Sequence, residues 1–352
     1  MQVVHVLEPF ASGITTAVLN IIDELQDFEH IVIHGKRTSD TSIEKVRLKF
    51  KQSTKFILWK HAEREINIIN DVKAFFELRQ YLSQYKNAII HLHSSKAGFL
   101  GRIACWSLGI KRVIYTPHGA AFIRSDVSEL KRNVYKVLEK FAGCFGGYIV
   151  GCGKSEADLY ASLGLYSTFV QNGADIDYEV DFSKKESQIV FAGIANRQKN
   201  PSLFNKIAEK VKKAYNVKFI WIGDGDLRNE LISDNITITG WVPKKEVDSL
   251  LVKSTIYLST SDWEGLPFGV LEAMNAGCAL ILHNVPGNKD LVTIDENGFL
   301  FDNADEAVSY ISTLLKAPKK AITMGRASMR IAKEHFTKKK MGEGYRRIYT
   351  SI

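Results

Sequence analysis

The sequence predicts an α/β chain made of two consecutive doubly wound units. Short apolar runs alternate with amphipathic helical patterns from Val3-Val4-His5-Val6-Leu7 to the end of the chain. Those runs are apolar throughout, as expected for parallel strands covered on both faces. The alternation resets at Asn172-Gly173, a turn signal, and resumes after the polar stretch Asp181–Ser187.

Strands are expected at residues 2–7, 30–34, 55–59, 87–92, 111–116, 146–151 and 167–171 in the first half. In the second half they are expected at 188–192, 217–222, 235–239, 255–259, 279–283 and 298–301. Helical periodicity lies between them, as at 15–25, 65–85 and 129–141, then 200–214, 244–252 and 268–276. A linker falls near 172–186. Parallel βα units bind ligands beyond the carboxyl ends of their strands, and two units facing each other make a cleft.

Composition bounds the function. The 352 residues suit two domains. With 45% hydrophobic and 24% charged residues the chain has enough apolar material for two cores. The formal net charge of +8 admits a nucleic acid, an anionic membrane or a phosphorylated substrate, although a solvated lysine-rich surface is the plainer reading. Basic residues do group at Lys111-Arg112, Lys131-Arg132, Lys136, Lys338-Lys339-Lys340 and Arg346-Arg347, which leaves a membrane-facing side open. No run of about 18 apolar residues exists, so no membrane-spanning helix is expected. The chain enters a strand without a basic and then apolar leader, so a cytoplasmic protein is expected. Cys105, Cys144, Cys152 and Cys278 lack metal-ligand spacing and read as reduced core or near-core thiols.

The most informative stretch runs from Ser259 to Met274 and contains Glu264-Gly265-Leu266-Pro267-Phe268-Gly269-Val270-Leu271-Glu272. It follows the apolar strand Ile256-Tyr257-Leu258. Pro267 suits the first position of a helix, where a missing N–H costs nothing. Glu264 then sits before that helix and Glu272 in its second turn. Helical side chains lean toward the N-terminus, so both carboxylates reach the helix start. The unpaired N–H groups there favour an anion. A diphosphate on the helix end, with hydroxyls offered to two carboxylates, describes a nucleotide-sugar. The alternative is two solvated charges eight residues apart, but Glu272 lies among Leu271, Ala273 and Met274, where an unpaired buried carboxylate is costly.

This segment resembles the E-x7-E motif of glycosyltransferase family 4 in its EGLP…LEAM form. Further blocks resemble that family in the same order. They are Glu8-Pro9-Phe10-Ala11-Ser12-Gly13, His93-Ser94-Ser95-Lys96-Ala97-Gly98 and Thr116-Pro117-His118-Gly119, then Asn172-Gly173-Ala174-Asp175. Phe191-Ala192-Gly193 through Lys199-Asn200-Pro201, Ile222-Gly223-Asp224-Gly225 and Gly240-Trp241-Val242-Pro243 follow. Each motif is modest; the ordered set covers essentially the whole chain.

The resemblance implies a GT-B fold: an acceptor-binding domain over 1–172, a nucleotide-sugar domain over 173–336, and a last helix, about 337–352, packed back on the first. It implies that Glu264 contacts hydroxyls of the donor sugar and Glu272 the ribose. Backbone around Phe268, Gly269 and Val270 holds the phosphates, with Lys199 on the diphosphate and the base near Trp241 and Val242. Gly13 lets backbone approach the phosphates, and His118 lies beside the reacting sugar. Glu264, His118 and Lys199 are thus the candidate catalytic residues. One departure stands out: the family's arginine after the glycine of the phosphate block is Ile194 here, and Arg197 is the candidate to supply that charge. Cations opening a helix oppose its dipole, which favours function for Arg197 and Lys199. His93, Ser94, Ser95 and Lys96 bind phosphate at a helix start or simply cap it. Asp224-Gly-Asp226 and Asp175-Ile-Asp177 are read as loop residues, so neither metal nor cofactor is expected beyond the donor.

The implied reaction retains anomeric configuration, with same-face attack, a donor phosphate oxygen taking the acceptor's proton, and domain closure excluding water. By the same resemblance the donor is a UDP-linked hexose or N-acetylhexosamine. The acceptor is a glycan or polyprenyl diphosphate in surface-polysaccharide assembly, and the basic and aromatic C-terminal helix helps the chain sit on an anionic membrane. A nucleotide-sugar 2-epimerase of the same fold is the rival. A nicotinamide dehydrogenase is disfavoured because the first loop lacks GxGxxG, and a nucleic-acid binder because the basic residues are scattered and no such motif is present.

Overall fold

The computed structural model describes residues 1–37, 42–63, 65–174 and 178–352. They form two compact units. The first comprises Met1–Ile123, Val127–Gly173 and Lys338–Ile352, and the second Arg124–Asp126 and Ala174–Thr337. In chain order the first unit holds β1 (Gln2–Pro9), α1 (Ser12–Glu24), β2 (Glu29–Arg37), α2 (Ile43–Arg47), β3 (Lys55–Leu58) and α3 (Ile68–Leu82). It continues with β4 (Ile89–His93), α4 (Ser95–Ser107), β5 (Val113–Thr116), α5 (Glu129–Gly143), β6 (Tyr148–Gly151), α6 (Lys154–Ser162) and β7 (Ser167–Phe169). The second unit holds β8 (Glu186–Ala192), α7 (Pro201–Lys212), β9 (Lys218–Ile222), β10 (Ile236–Ile238), α8 (Lys244–Lys253) and β11 (Ser254–Ser259). It ends with α9 (Phe268–Asn275), β12 (Ala279–His283), β13 (Gly298–Phe301), α10 (Ala304–Lys316) and α11 (Pro318–His335), after which α12 (Lys338–Ser351) belongs to the first unit.

Every strand expected from the sequence is present. The sheets are ordered β3-β2-β1-β4-β5-β6-β7 and β10-β9-β8-β11-β12-β13, and the paired strands within them run parallel. Strand order reverses between β1 and β4 in one unit and between β8 and β11 in the other. Loops diverge at such a switch point and leave a crevice at the carboxyl ends of the strands.

Period-two alternation gives the first sheet two different faces. Val4, Val6, Ile31, Ile33, Ile90 and Leu92 join Trp59, Leu78 and Leu100 in the larger core. Arg102, fully buried, ties that side together. It pairs with Glu139 at 2.7 Å, lies 4.6 Å from the Tyr115 ring centroid, and shares Glu139 with the Tyr115 hydroxyl at 2.8 Å. The opposite face carries His5, His30, His91 and His93, all buried.

Helix α12 closes over this histidine face. The Tyr349 hydroxyl lies 2.7 Å from His91 Nδ1, and the Tyr345 hydroxyl 3.3 Å from Thr116 Oγ1. Met341, Tyr345 and Tyr349 are buried, each worth roughly 1.5–3 kcal/mol of transfer free energy. Arg346 is held in a bidentate pair with Asp27, both bonds 2.7 Å. The aromatic residues expected to help this helix sit on a membrane are therefore spent on packing within the first unit. Cys105, Cys152 and Cys278 are buried free thiols, as expected, but Cys144 is exposed because it caps the end of α5.

Candidate functional site

The loops that leave the switch point of the second unit, 193–200 after β8 and 260–267 after β11, are laced together. The Asp262 N–H donates to Gln198 O at 2.8 Å, and Thr260 Oγ1 donates to Lys199 O at 2.8 Å. Asn200 Nδ2 reaches Asp262 Oδ1 at 2.9 Å, and Gln198 Nε2 reaches Trp263 O at 2.9 Å. Asn200 also caps α7 through Leu203 N, from a backbone φ of 50°. The lacing brings Lys199 onto Glu264, whose carboxylate it pairs with at Oε1. Gln198 Nε2 approaches the other oxygen at 3.3 Å. Glu264 is 6% exposed, and a carboxylate so far from water requires such partners.

Helix α9 starts at Phe268, where the expected range 268–276 has it, but Pro267, at ψ 123°, is its cap rather than its first residue. Phe268 and Gly269 are the first helical positions, and their N–H groups have no carbonyl a turn earlier to bond. Val270, behind them, is buried. A Cβ at Gly269 would lie 3.0 Å from Tyr257 Oη and 3.3 Å from Ala192 O, so glycine lets the helix start press against the end of β8. Gly287, at φ 82°, backs the same loop: a Cβ there would lie 2.4 Å from Gly265 O.

Glu272, in the second turn of α9, meets Lys244 Nζ at 2.8 Å, and Lys244 also meets Asp248 at 2.9 Å. Burial alone lowers the Lys244 ammonium, but these two carboxylates outweigh it and hold the group above the usual lysine value. The pair anchors the start of α8, and with it the Trp241-Val242 turn, beside α9. The Trp241 ring is left exposed and Val242 half-buried. Arg197 is exposed and has no hydrogen bond or ion pair among the described residues. Ile194 is half-buried. Asp224 is engaged with Arg228 and with the Gly225 N–H, each at 2.8 Å. Asp175 and Asp177 lie outside the described residues.

The remaining candidates belong to the first unit. Gly13 is exposed in the first turn of α1, entered through Ser12 at φ 53°. His118 follows β5 at φ 57°. Its Nε2 lies 2.9 Å from His93 Nδ1 and its Nδ1 3.1 Å from Cys152 Sγ. Burial pushes its pKa down to about 3. Glu156 holds the neighbouring backbone, accepting from Gly119 N at 2.6 Å and from Cys152 N at 2.7 Å. Lys96 is engaged with Asp71 and with Glu65 O, and Ser94 occupies the cap position of α4 at φ 74°. The Ser94 side chain makes no cap hydrogen bond, so these contacts favour neither alternative for the 93–96 block.

Donor atoms of His5, His91 and His93 lie within 4.8 Å of one another, the spacing of a metal-ligand set. Each ring nitrogen of the three already has a protein partner, however. Gln198, Lys244, Gly287 and Cys152 were missed by sequence reasoning. Gln198 sits between two candidates and Gly287 follows Pro286, which are faint signals; Lys244 and Cys152 gain meaning only from contacts distant in sequence.

Known proteins support the same reading. Residues 11–178 match the model described as Glycosyltransferase Family 4, and residues 175–330 the model described as Glycosyl transferases group 1. The chain is 30% identical over 283 residues, 72% of each protein, to a UDP-Gal:alpha-D-GlcNAc-diphosphoundecaprenol alpha-1,3-galactosyltransferase of Escherichia coli. It is 27% identical over 256 residues, 68% of this chain and 67% of the relative, to a Campylobacter jejuni N-acetyl-D-galactosaminyltransferase whose name specifies a PP-undecaprenol glycan. The structure of Anabaena HepE in complex with UDP superposes with a TM-score of 0.79 at 16% identity, over 100% of both chains. Sucrose-phosphate synthase of Thermosynechococcus elongatus gives 0.78 at 15%, again over both whole chains. The epimerase alternative gains no support from these relatives. The chain is a glycosyltransferase of GT-B fold and belongs to glycosyltransferase family 4.

Proposed function

We propose that this enzyme transfers a hexose or N-acetylhexosamine, with retention, from a UDP-sugar to a polyprenyl-diphosphate-linked glycan in surface-polysaccharide assembly. The observation that carries this reading is the Lys199–Glu264 pair beside the start of α9, at the switch point of the second unit. In the free protein the two charges satisfy each other. With donor bound, Lys199 turns to the diphosphate and Glu264 to hydroxyls of the sugar, while the Phe268 and Gly269 N–H groups take phosphate oxygens. Glu272 binds the ribose and Trp241 offers a face to the base. Arg197, exposed and unengaged, supplies the cation that Ile194 does not. With lysine and helix N–H groups stabilising the leaving diphosphate, the reaction needs no metal. The E. coli and C. jejuni relatives carry undecaprenol acceptors in their names, which supports the lipid-linked acceptor.

That acceptor requires a membrane contact, and α5 is its best-supported location. Leu130, Val134, Val137 and Phe141 recur at helical spacing and are exposed, with exposed Trp106 continuing the apolar surface through Phe145. Lys131, Lys136 and Lys140 share the helix. An exposed apolar stripe with flanking lysines suits the interface of an anionic bilayer. A melting screen with UDP, GDP and ADP tests the donor, and transfer of radiolabelled galactose from UDP-galactose to GlcNAc-diphosphoundecaprenol tests the acceptor. A folded protein that none of the three nucleotides stabilises refutes the donor site.

A further inference from the structure

The histidine face of the first sheet holds a continuous hydrogen-bonded chain that crosses five adjacent strands. His30 Nε2 lies 2.8 Å from Leu25 O, and His30 Nδ1 lies 3.2 Å from His5 Nε2. His5 Nδ1 lies 3.1 Å from His93 Nε2, His93 Nδ1 2.9 Å from His118 Nε2, and His118 Nδ1 3.1 Å from Cys152 Sγ. The path follows from strand register. His5 is opposite Val32, two residues beyond His30; His93 is opposite Leu7, two beyond His5; His118 is two beyond Thr116, the partner of His93. Each link is the diagonal neighbour of the last on one face of the sheet. The chain thus rises from the start of β2 to the loop beyond the carboxyl end of β5.

Its direction is decided at one end. A carbonyl oxygen only accepts, so His30 must donate through Nε2 to Leu25. A neutral imidazole has one N–H, so His30 Nδ1 must accept, and His5 must donate to it through Nε2. The same step repeats at His93 and at His118, whose Nδ1 is left to accept from the Cys152 thiol. We propose that Cys152, His93, His5 and His30 are positioning residues for His118. The Leu25 carbonyl orients them as a one-way chain that locks the His118 ring in its Nε2–H form, with the thiol as final donor. Burial supports the neutral state throughout. It lowers the pKa of all four imidazoles and raises that of the Cys152 thiol.

The consequence for His118 is specific. Both ring nitrogens are committed to buried partners, so the ring holds no lone pair for a substrate proton. The chain instead fixes the Thr116–Gly119 loop, in which His118 occupies the left-handed region that a non-glycine residue adopts only when its surroundings hold it there.

The test is the tautomer, read by long-range proton–nitrogen NMR on histidine-labelled protein at pH 7, with lines assigned by single His→Gln variants. It needs no sugar donor, so it fails or succeeds independently of the transfer reaction. Wild type should show neutral Nε2–H patterns at His30, His5, His93 and His118. Cys152→Ala should split or broaden the His118 line, and Cys152→Ser, which keeps a donor, should restore it. His30→Leu, three rings away, removes the constraint from Leu25. The chain can then reverse, so that His118 becomes Nδ1–H with the thiol accepting. A charged or Nδ1–H His118 in wild type overturns the proposal. So does a folded His30→Leu protein whose His118 line is unchanged.

Discussion

The buried histidines make the first unit sensitive to mild acid, and the effect can be worked out. His5, His91 and His93 are buried and His118 is half-buried, and all four are held well below the ordinary histidine pKa by desolvation, His118 at about 3. In the unfolded chain each titrates near 6.5. Above that value neither state is protonated and stability is complete. As pH falls below it, the unfolded state binds protons that the folded state refuses, so stability drops. Between pH 7 and pH 5.5 each such histidine removes about 1.3 kcal/mol, and four remove about 5 kcal/mol, comparable to the whole stability of many domains. The carboxylates with lowered pKa, Asp27 and Glu29 among them, titrate below this window and do not offset the loss. Urea unfolding at pH 7, 6.5, 6 and 5.5, followed through the fully buried Trp59, should show the midpoint falling steadily with acid. A free energy at pH 5.5 within about 1 kcal/mol of that at pH 7 refutes the argument, because neutral burial of four imidazoles requires the slope.

Other outcomes are equally checkable. Lys199→Met and Glu264→Gln should each lower stability, and the double variant should lose less than the sum, with a coupling of about 1–3 kcal/mol by urea titration, because either single change leaves one charge without its partner. Glu272→Ala should abolish the rise in melting temperature that UDP produces, while the free protein still melts cooperatively. Glu139→Ala strands the Arg102 guanidinium in the core and should cost about 3–5 kcal/mol in chemical denaturation. Transfer activity should survive dialysis against EDTA; a loss restored by a divalent cation would contradict the proposed leaving-group stabilisation.

The sequence by itself determined the strands, the doubly wound class and the E-x7-E loop. These are local: uninterrupted apolar runs fix buried parallel strands, and Pro267 and the glycines around it fix a tight strand-to-helix turn within a few residues. The same locality marked Glu264, Glu272 and Lys199 as candidates. It left the partners of those residues hidden. Whether Lys199 meets Glu264, or Lys244 meets Glu272, depends on which loops flank the switch point, and that is set by strand order. The histidine chain is the clearest case. His5, His30, His93, His118 and Cys152 are scattered over 148 positions of sequence. Only the register of neighbouring strands stacks the four histidines at diagonal spacing on one face and brings Cys152 level with the last of them. Side-chain alternation could say which residues share a face of a strand. Only tertiary pairing could say which strand lies next to it, and so which hydrogen bonds a buried imidazole must make.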